Sequence, residues 1–392
     1  MAVRTGLEAL AATGFAPLKG KAVGAIVNPT SVDGGFRHLA DLLGAAEGVS
    51  LKALFGPEHG VRGDAQYMVA VGEERDPRTG VPVHSLYGSS FGSLSPKPEW
   101  LSGLDALVFD IQDVGARYYT YVYTMALAMQ AAARAKVAFY VLDRPNPIGG
   151  VEVEGNLPPA RFRSFVGLYE LPNRHGMTAG ELARYFDATE RFECDLRVVP
   201  CDGWRRAQHF DDTRRAFVPP SPNMPTPATA LVYPGMCLLE GTNLSEGRGT
   251  CRPFEQFGAP WLDGEAVAAR LAQEALPGVR FRAVSFRPTF DKHSGELCHG
   301  AMLHVVDRNA FRPLRTAIAV VAVARELGPR QFQWRTHAYE FVDQIPAFDL
   351  LCGGDGVRRG IEAGLPLDRL TEGFAADEAA FRARREKYLL YE

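Results

Sequence analysis

Leu51-Lys-Ala-Leu-Phe-Gly-Pro-Glu-His-Gly60 opens as a nearly continuous apolar run and stops at a Gly-Pro step, leaving Glu58 just past its end. A short apolar run ended by glycine and proline reads as a strand buried on both faces, the kind found in a parallel sheet covered by helices. In open sheets of this type ligands bind in the crevice outside the carboxyl ends of the strands. Glu58 therefore stands where a functional carboxylate is expected.

The pattern repeats outward from this stretch. Further apolar runs at residues 22–27, 82–86, 106–109, 137–142 and 196–199 predict strands, and residues 36–43, 118–136 and 178–186 read as the helices between them. The last of these helices opens with Thr178-Ala-Gly-Glu181, a capping box in which the two side chains satisfy free backbone N–H groups. Alternation of this kind predicts an α/β fold, a Rossmann-like and mostly parallel sheet with helices on both faces. Past residue 255 the alternation weakens, with strands expected at 279–286 and 301–306 and helices at 313–327 and 381–390. These residues predict a smaller α+β part, so the chain is expected to divide into a Rossmann-like domain, 1–252, and a smaller C-terminal domain, 253–392. Between them Pro219-Pro-Ser-Pro-Asn-Met-Pro-Thr-Pro227 is too rich in proline to be regular and reads as a rigid segment.

Composition narrows the function. The 392 residues carry 43 Lys and Arg against 46 Asp and Glu, with no basic run to follow a phosphate backbone, so nucleic acid is not an expected partner. The longest apolar stretch, 317–324, is far short of a membrane span, so no membrane association is expected. Glu8 interrupts what would be the apolar core of an export signal, which makes the sequence as written cytoplasmic, or periplasmic or secreted if a signal has been removed. Six scattered cysteines form no Cys-x-x-Cys pair and read as reduced packing residues, although Cys194 and Cys201 flank one predicted strand. With no Walker motif, no Gly-x-Gly-x-x-Gly after the first strand and no His-x-His, His-Glu-x-x-His or Asp-x-Asp near the strand ends, neither a cofactor nor a metal is expected.

Each predicted strand is followed by polar side chains: Asn28; Glu58 and His59; Asp110 and Asp113; Asp143 and Arg144. In a parallel sheet these converge on one edge. Structural readings stand beside the functional ones, since Asp113 ahead of Gly115 is also a turn former and Asp143-Arg144 is also a structural ion pair. Carboxylates gathered in a cleft suit acid and base work, because desolvation and neighbouring charge raise the pKa of one while another stays ionised. Glycoside hydrolysis requires that division. Leu239-Glu-Gly-Thr-Asn-Leu-Ser-Glu-Gly-Arg-Gly-Thr250 places Glu240, Asn243, Ser245, Glu246 and Arg248 among three glycines, a density of hydrogen-bonding groups suited to reading sugar hydroxyls. In Tyr118-Tyr-Thr-Tyr-Val-Tyr123 most rings are expected in the core, with Tyr118 or Tyr119 reaching the cleft.

These motifs resemble the NamZ family of exo-acting β-N-acetylmuramidases. The resemblance is carried by Asn28-Pro-Thr-Ser, Phe55-Gly-Pro-Glu-His-Gly, Asp76-Pro-Arg-Thr-Gly, Phe109-Asp-Ile-Gln-Asp-Val-Gly-Ala-Arg117, Asp143-Arg-Pro-Asn-Pro-Ile-Gly-Gly150, Arg174-His-Gly-Met-Thr178, the 219–225 segment and the 240–250 segment. It runs in order from about residue 6 to Tyr388-Leu-Leu-Tyr391. It implies a cleft between two domains that removes N-acetylmuramic acid (MurNAc) from the non-reducing ends of peptidoglycan fragments such as MurNAc-GlcNAc, with the family's glutamate at Glu58. Asp110, Asp113, Asp143 and Glu246 are then the candidates for the second catalytic group. The lactyl carboxylate that distinguishes muramic acid calls for a guanidinium, for which Arg117, Arg144 and Arg248, then Arg62, are candidates. Asn28, His59, Tyr118, His175, Asn223, Asn243 and Ser245 complete the expected substrate contacts. Two other classes stand beside this one: a metal-dependent amidase or phosphoesterase, and a non-catalytic peptidoglycan-binding protein.

Overall fold

The computed structural model describes residues 2–63 and 74–392. Seven strands form the larger sheet: β1 (Ala22–Val27), β2 (Ser50–Gly56), β3 (Glu74–Arg75), β4 (Pro82–Ser85), β5 (Ala106–Asp110), β6 (Ala138–Leu142) and β7 (Leu196–Val199). Their order is β3-β4-β2-β1-β5-β6-β7, parallel throughout except for the edge strand β3. The helices in chain order are α1 (Gly6–Ala12), α2 (Leu39–Ala45), α3 (Pro98–Leu101), α4 (Tyr121–Ala135), α5 (Ala179–Glu190), α6 (Pro227–Met236), α7 (Gly264–Gln273), α8 (Pro313–Leu327), α9 (Ala347–Cys352), α10 (Gly356–Glu362), α11 (Leu367–Leu370) and α12 (Phe374–Arg385).

Period-two alternation sends each strand's side chains to two different cores. Val23, Ala25 and Val27 of β1, with Ala106 and Val108 of β5, pack against Leu7 and Leu10 of α1 and Leu39 and Leu43 of α2. Ile26, Leu107, Phe109, Phe139 and Val141 point the other way, into a cluster shared with α4 and α5. Both faces are covered, which is why the strands read as continuous apolar runs.

A second sheet of three antiparallel strands, β8 (Gln256–Ala259), β9 (Val279–Phe286) and β10 (Cys298–Val305), has the order β8-β10-β9. The short Gln256-Phe-Gly-Ala259 gave no periodic signal, and the closing helix lies seven residues earlier than expected, at 374 rather than 381. The α5 capping box forms, with the Glu181 N–H donating to Thr178 Oγ1 and the Thr178 N–H donating to Glu181 Oε2. Proline-rich 219–225 is irregular, and Thr226 then caps α6, which carries Pro227 at its first position.

The larger apolar cluster continues from α4 through α6 and α8 into β10, so the two parts share a core. Contact between α6 and the start of α8 is close enough that a Cβ at Gly235 would overlap the Pro313 carbonyl. The architecture changes from the parallel to the antiparallel sheet ahead of β8, within one packed body. Among the described residues no helix is long and apolar enough to cross a membrane. All six cysteines are free thiols.

Candidate active site

Three of the four catalytic aspartate and glutamate candidates beside Glu58 do not reach a cleft. Asp110 at the end of β5 is fully buried and takes two hydrogen bonds from Arg144, at 2.6 and 2.8 Å. Asp143 after β6 accepts from the Thr178 hydroxyl (2.7 Å), the Gly180 N–H (2.8 Å), its neighbour Arg144 N–H (3.0 Å) and the Tyr391 hydroxyl. Burial pushes its carboxyl up to about 6, against the pull of Tyr391, Thr178 and Gly180. Asp113 accepts from the Gly115 N–H at 2.7 Å and faces buried His175 at 3.4 Å. The expected convergence is corrected: the ends of β5 and β6 are plugged by an ion pair, a turn and the cap of α5.

Several expected substrate contacts are also structural. Asn28 accepts from the Thr30 N–H and hydroxyl and donates to the Pro220 carbonyl. Arg117, fully buried, donates to the carbonyls of Asn156, Leu171 and Leu351. Arg62 lies between Asp41 and Asp76, each at 2.8 Å. His175 Nδ1 accepts from the Met177 N–H, and Ser245 Oγ from the Gly247 N–H. None of these lines the cleft, nor does Arg144.

The cleft itself has a volume of about 1610 Å³ and lies between the β2 end and the C-terminal part. Glu58 and His59 form one side, with Tyr118 to Tyr121 at the start of α4 and 221–224 of the proline-rich segment; residues from within 240–254, among them Glu240, Asn243, Glu246 and Arg248, and the segments 289–293 and 333–341 form the other. Glu58 is half-buried, at 29% exposure. Burial raises its pKa, Arg248 and a hydrogen bond with Tyr87 partly oppose this, and the charge of Glu240 adds to the rise. The His59 Nε2 lies 4.0 Å from Glu58 Oε1. Tyr121 donates to the Pro220 carbonyl at 2.8 Å and Tyr119 to Ser221 at 3.0 Å, tying α4 to the proline-rich wall. Tyr118 borders the cleft but is only 3% exposed, and its hydroxyl is taken by the Pro234 carbonyl. Asn223 lines the cleft as expected.

Opposite Glu58 the glycine-rich loop forms a charge network. Arg248 donates to Glu240 Oε1 at 2.7 Å, pairs with Glu246 at 3.0 Å and lies over the Phe254 ring. Lys292 donates to Glu246 (2.9 Å) and to the carbonyls of Leu239 and Leu244. Tyr339 donates to Glu240 Oε2 at 2.8 Å. Burial disfavours the Glu240 charge, yet Arg248, Tyr339 and Lys292 together hold its carboxyl below the usual range. The loop's remaining expected residue, Asn243, faces the cleft but uses its side chain to hold the next segment, donating to the Gln331 carbonyl and accepting from the Gln333 N–H.

That segment, Gln333-Trp-Arg-Thr-His-Ala-Tyr-Glu-Phe341, was missed among the site residues. It has neither strand nor helix periodicity, and the available signal was its crowding of aromatic and charged side chains. Its Phe341 lines the cleft and packs edge-on against Phe91 and Phe165 of the N-terminal part. Burial first, then the charges of Glu58 and Glu240, push the Glu340 carboxyl up to about 7, with Arg335 opposing. Six of the thirteen non-glycine residues with positive φ among the described residues line the cleft: His59, Phe254, Asp291, His293, Glu340 and Phe341. Such backbone persists where surrounding structure over-determines it, and it clusters at functional sites. Among the described residues no group of three or more His, Cys, Asp or Glu is arranged to hold a metal ion.

Family models described as the N-terminal and C-terminal parts of exo-β-N-acetylmuramidase NamZ match residues 23–228 and 231–391. The peptidoglycan β-N-acetylmuramidase NamZ of Bacillus subtilis (strain 168) is 46% identical over 389 residues, which is 99% of this chain and 91% of that protein. A crystal structure of a DUF1343 family protein from Bacteroides fragilis superposes with a TM-score of 0.90 at 36% identity, covering 100% of this chain and 99% of the other. A second such protein from the same organism superposes at 0.79 with 31% identity and the same coverage.

Proposed function

The chain belongs to the exo-β-N-acetylmuramidase NamZ family, and from that premise we propose that it hydrolyses peptidoglycan fragments, releasing N-acetylmuramic acid from their non-reducing ends, with Glu58 as the proton donor. The observation that carries this reading is the contrast between two carboxylates in one cleft. Burial and the charge of Glu240 hold the Glu58 carboxyl above its ordinary range. Arg248 and Tyr339 hold Glu240 below it. The first is biased toward its protonated form and the second toward its charged form, the direction of the division that glycosidic cleavage requires.

Glu58 protonates the departing glycosidic oxygen as the bond to the anomeric carbon breaks. Positive charge then develops on the sugar ring, and the ionised wall of Glu240 and Glu246 favours it electrostatically. Of the sequence candidates for the second group, only Glu246 lines the cleft. It is held by Arg248 at 3.0 Å and Lys292 at 2.9 Å, which suits a fixed charge better than a mobile base.

The lining of the cleft supports a glycan ligand. Phe290 and Phe341 are half-exposed there, and apolar ring faces suit the C–H faces of pyranoses. The deciding experiment is incubation with MurNAc-GlcNAc while free MurNAc is followed by chromatography, with and without EDTA. We expect release in both. No release overturns the reading, and release lost in EDTA would favour the metal-dependent class. Proton NMR of the first-formed anomer then gives the stereochemical course.

A further inference from the structure

Muramic acid differs from glucosamine by one group, a lactyl ether ending in a carboxylate, and the cleft is poorly disposed toward negative charge. Glu58, Glu240, Glu246, Asp291 and Glu340 all line it. A substrate carboxylate gains only where a cation of the protein is available to it. The lysine and arginine residues lining the cleft are Arg248, Lys292 and Arg335.

Two of these are occupied. Arg248 is held between Glu240 at 2.7 Å and Glu246 at 3.0 Å. An ammonium has three donors, and those of Lys292 reach Leu239, Leu244 and Glu246. Arg335 differs. Its backbone is fixed, with its N–H donating to the Gly241 carbonyl at 2.9 Å and its carbonyl accepting from the Ala347 N–H at 3.3 Å. Its guanidinium lies 4.9 Å from the Tyr339 ring centroid. Among the described residues it makes no salt bridge, and its Nε is buried without a hydrogen-bond partner. A buried donor left unmet is costly, and a guanidinium stacked on an aromatic ring is already oriented for a planar, bidentate anion.

We propose that Arg335 recognises the lactyl carboxylate, as the one guanidinium lining the cleft that no carboxylate of the protein occupies among the described residues. The proposal rests on the muramidase reading and identifies how the sugar is selected. It replaces the four arginines singled out from sequence, since Arg62, Arg117, Arg144 and Arg248 are each engaged by carboxylates or carbonyls of the protein. Arg335 lines the same cleft as Glu58 and Glu340.

The test compares three chromogenic β-glycosides, of MurNAc, of the lactyl methyl ester of MurNAc and of GlcNAc, with the wild-type enzyme, Arg335→Met and Arg335→Lys. Wild type is expected to prefer the acid to its ester by roughly 30-fold or more, the range of a charge-assisted hydrogen-bonded pair. Arg335→Met is expected to lose most of that preference, through a fall in kcat/KM on the acid that the ester does not share, and Arg335→Lys to retain part of it. A wild type that treats acid and ester alike overturns the proposal without any variant. So does an equal loss on both substrates in Arg335→Met, the pattern of a merely structural residue. A wild type that cleaves the GlcNAc glycoside and no muramyl substrate overturns the muramidase reading first and this inference with it.

Discussion

The ends of β5 and β6 and the end of β2 carry the same kind of residue and put it to opposite uses. Asp110 and Asp143 follow buried strands, as Glu58 does. Asp110 faces Arg144, while Asp143 is enclosed by Thr178, Gly180 and Tyr391. Glu58 instead stands half-open on a cleft, with a histidine at 4.0 Å and a ring of other carboxylates across from it. A carboxylate at a strand end is therefore not itself a sign of chemistry. What separates the two regions is whether the protein supplies every partner the acid needs.

This contrast can be broken by exchanging the consequences of mutation. Glu58→Gln should lower kcat on a muramyl glycoside about 10³-fold, the scale of a lost general acid, while leaving the melting temperature where it was. Near-normal turnover would remove Glu58 from the chemistry. Asp110→Ala should do the reverse, since it leaves Arg144 buried and unpaired. We expect about 3–5 kcal/mol of lost stability in urea unfolding, with the specific activity of the folded fraction retained. A turnover defect in fully folded Asp110→Ala would show that the sealed cluster does take part.

A finer probe is the pH profile. As the proposed proton donor Glu58 works in its protonated form, so kcat/KM is expected to fall as pH rises through its raised pKa, giving an alkaline limb. Glu240→Gln removes a negative neighbour that raises that pKa and frees Arg248, which lowers it. Both changes act in one direction, and the limb should move to lower pH. A limb that moves upward would contradict the charge assignment. The smallest effect is expected at the wall. Phe341→Ala loosens the packing on Phe91 and Phe165 and should raise KM about threefold with kcat little altered, on the scale of an aromatic pair.

The same contrast explains what was readable in the sequence. Strands buried on both faces leave a continuous apolar record, so the parallel sheet, the Thr178 cap and the long helix after Tyr118 were legible. The place of Glu58 on the cleft was legible because Gly56 and Pro57 stop its strand, and that of the 240–250 loop because its glycines and charges crowd together. The sealing of Asp110 was not, because its partner Arg144 lies 34 residues away and nothing local distinguishes an ion pair from a site. Arg335, Tyr339 and Glu340 were missed for a related reason. They sit on a segment whose shape comes from contacts with Gly241, Thr242 and Asn243, and such contacts leave no period in the sequence.

The Tyr391 hydroxyl, bonded to Asp143 and accepting from the Cys201 N–H at 2.9 Å, has a consequence for how the protein is made. Leu390 likewise donates to Glu181 at 2.8 Å, on the helix that caps Asp143. The strand end is laid down 248 residues before the hydroxyl that completes its cap. The sheet around it can collapse earlier in translation, but Asp143 keeps an unfilled contact until that distant tyrosine has been made.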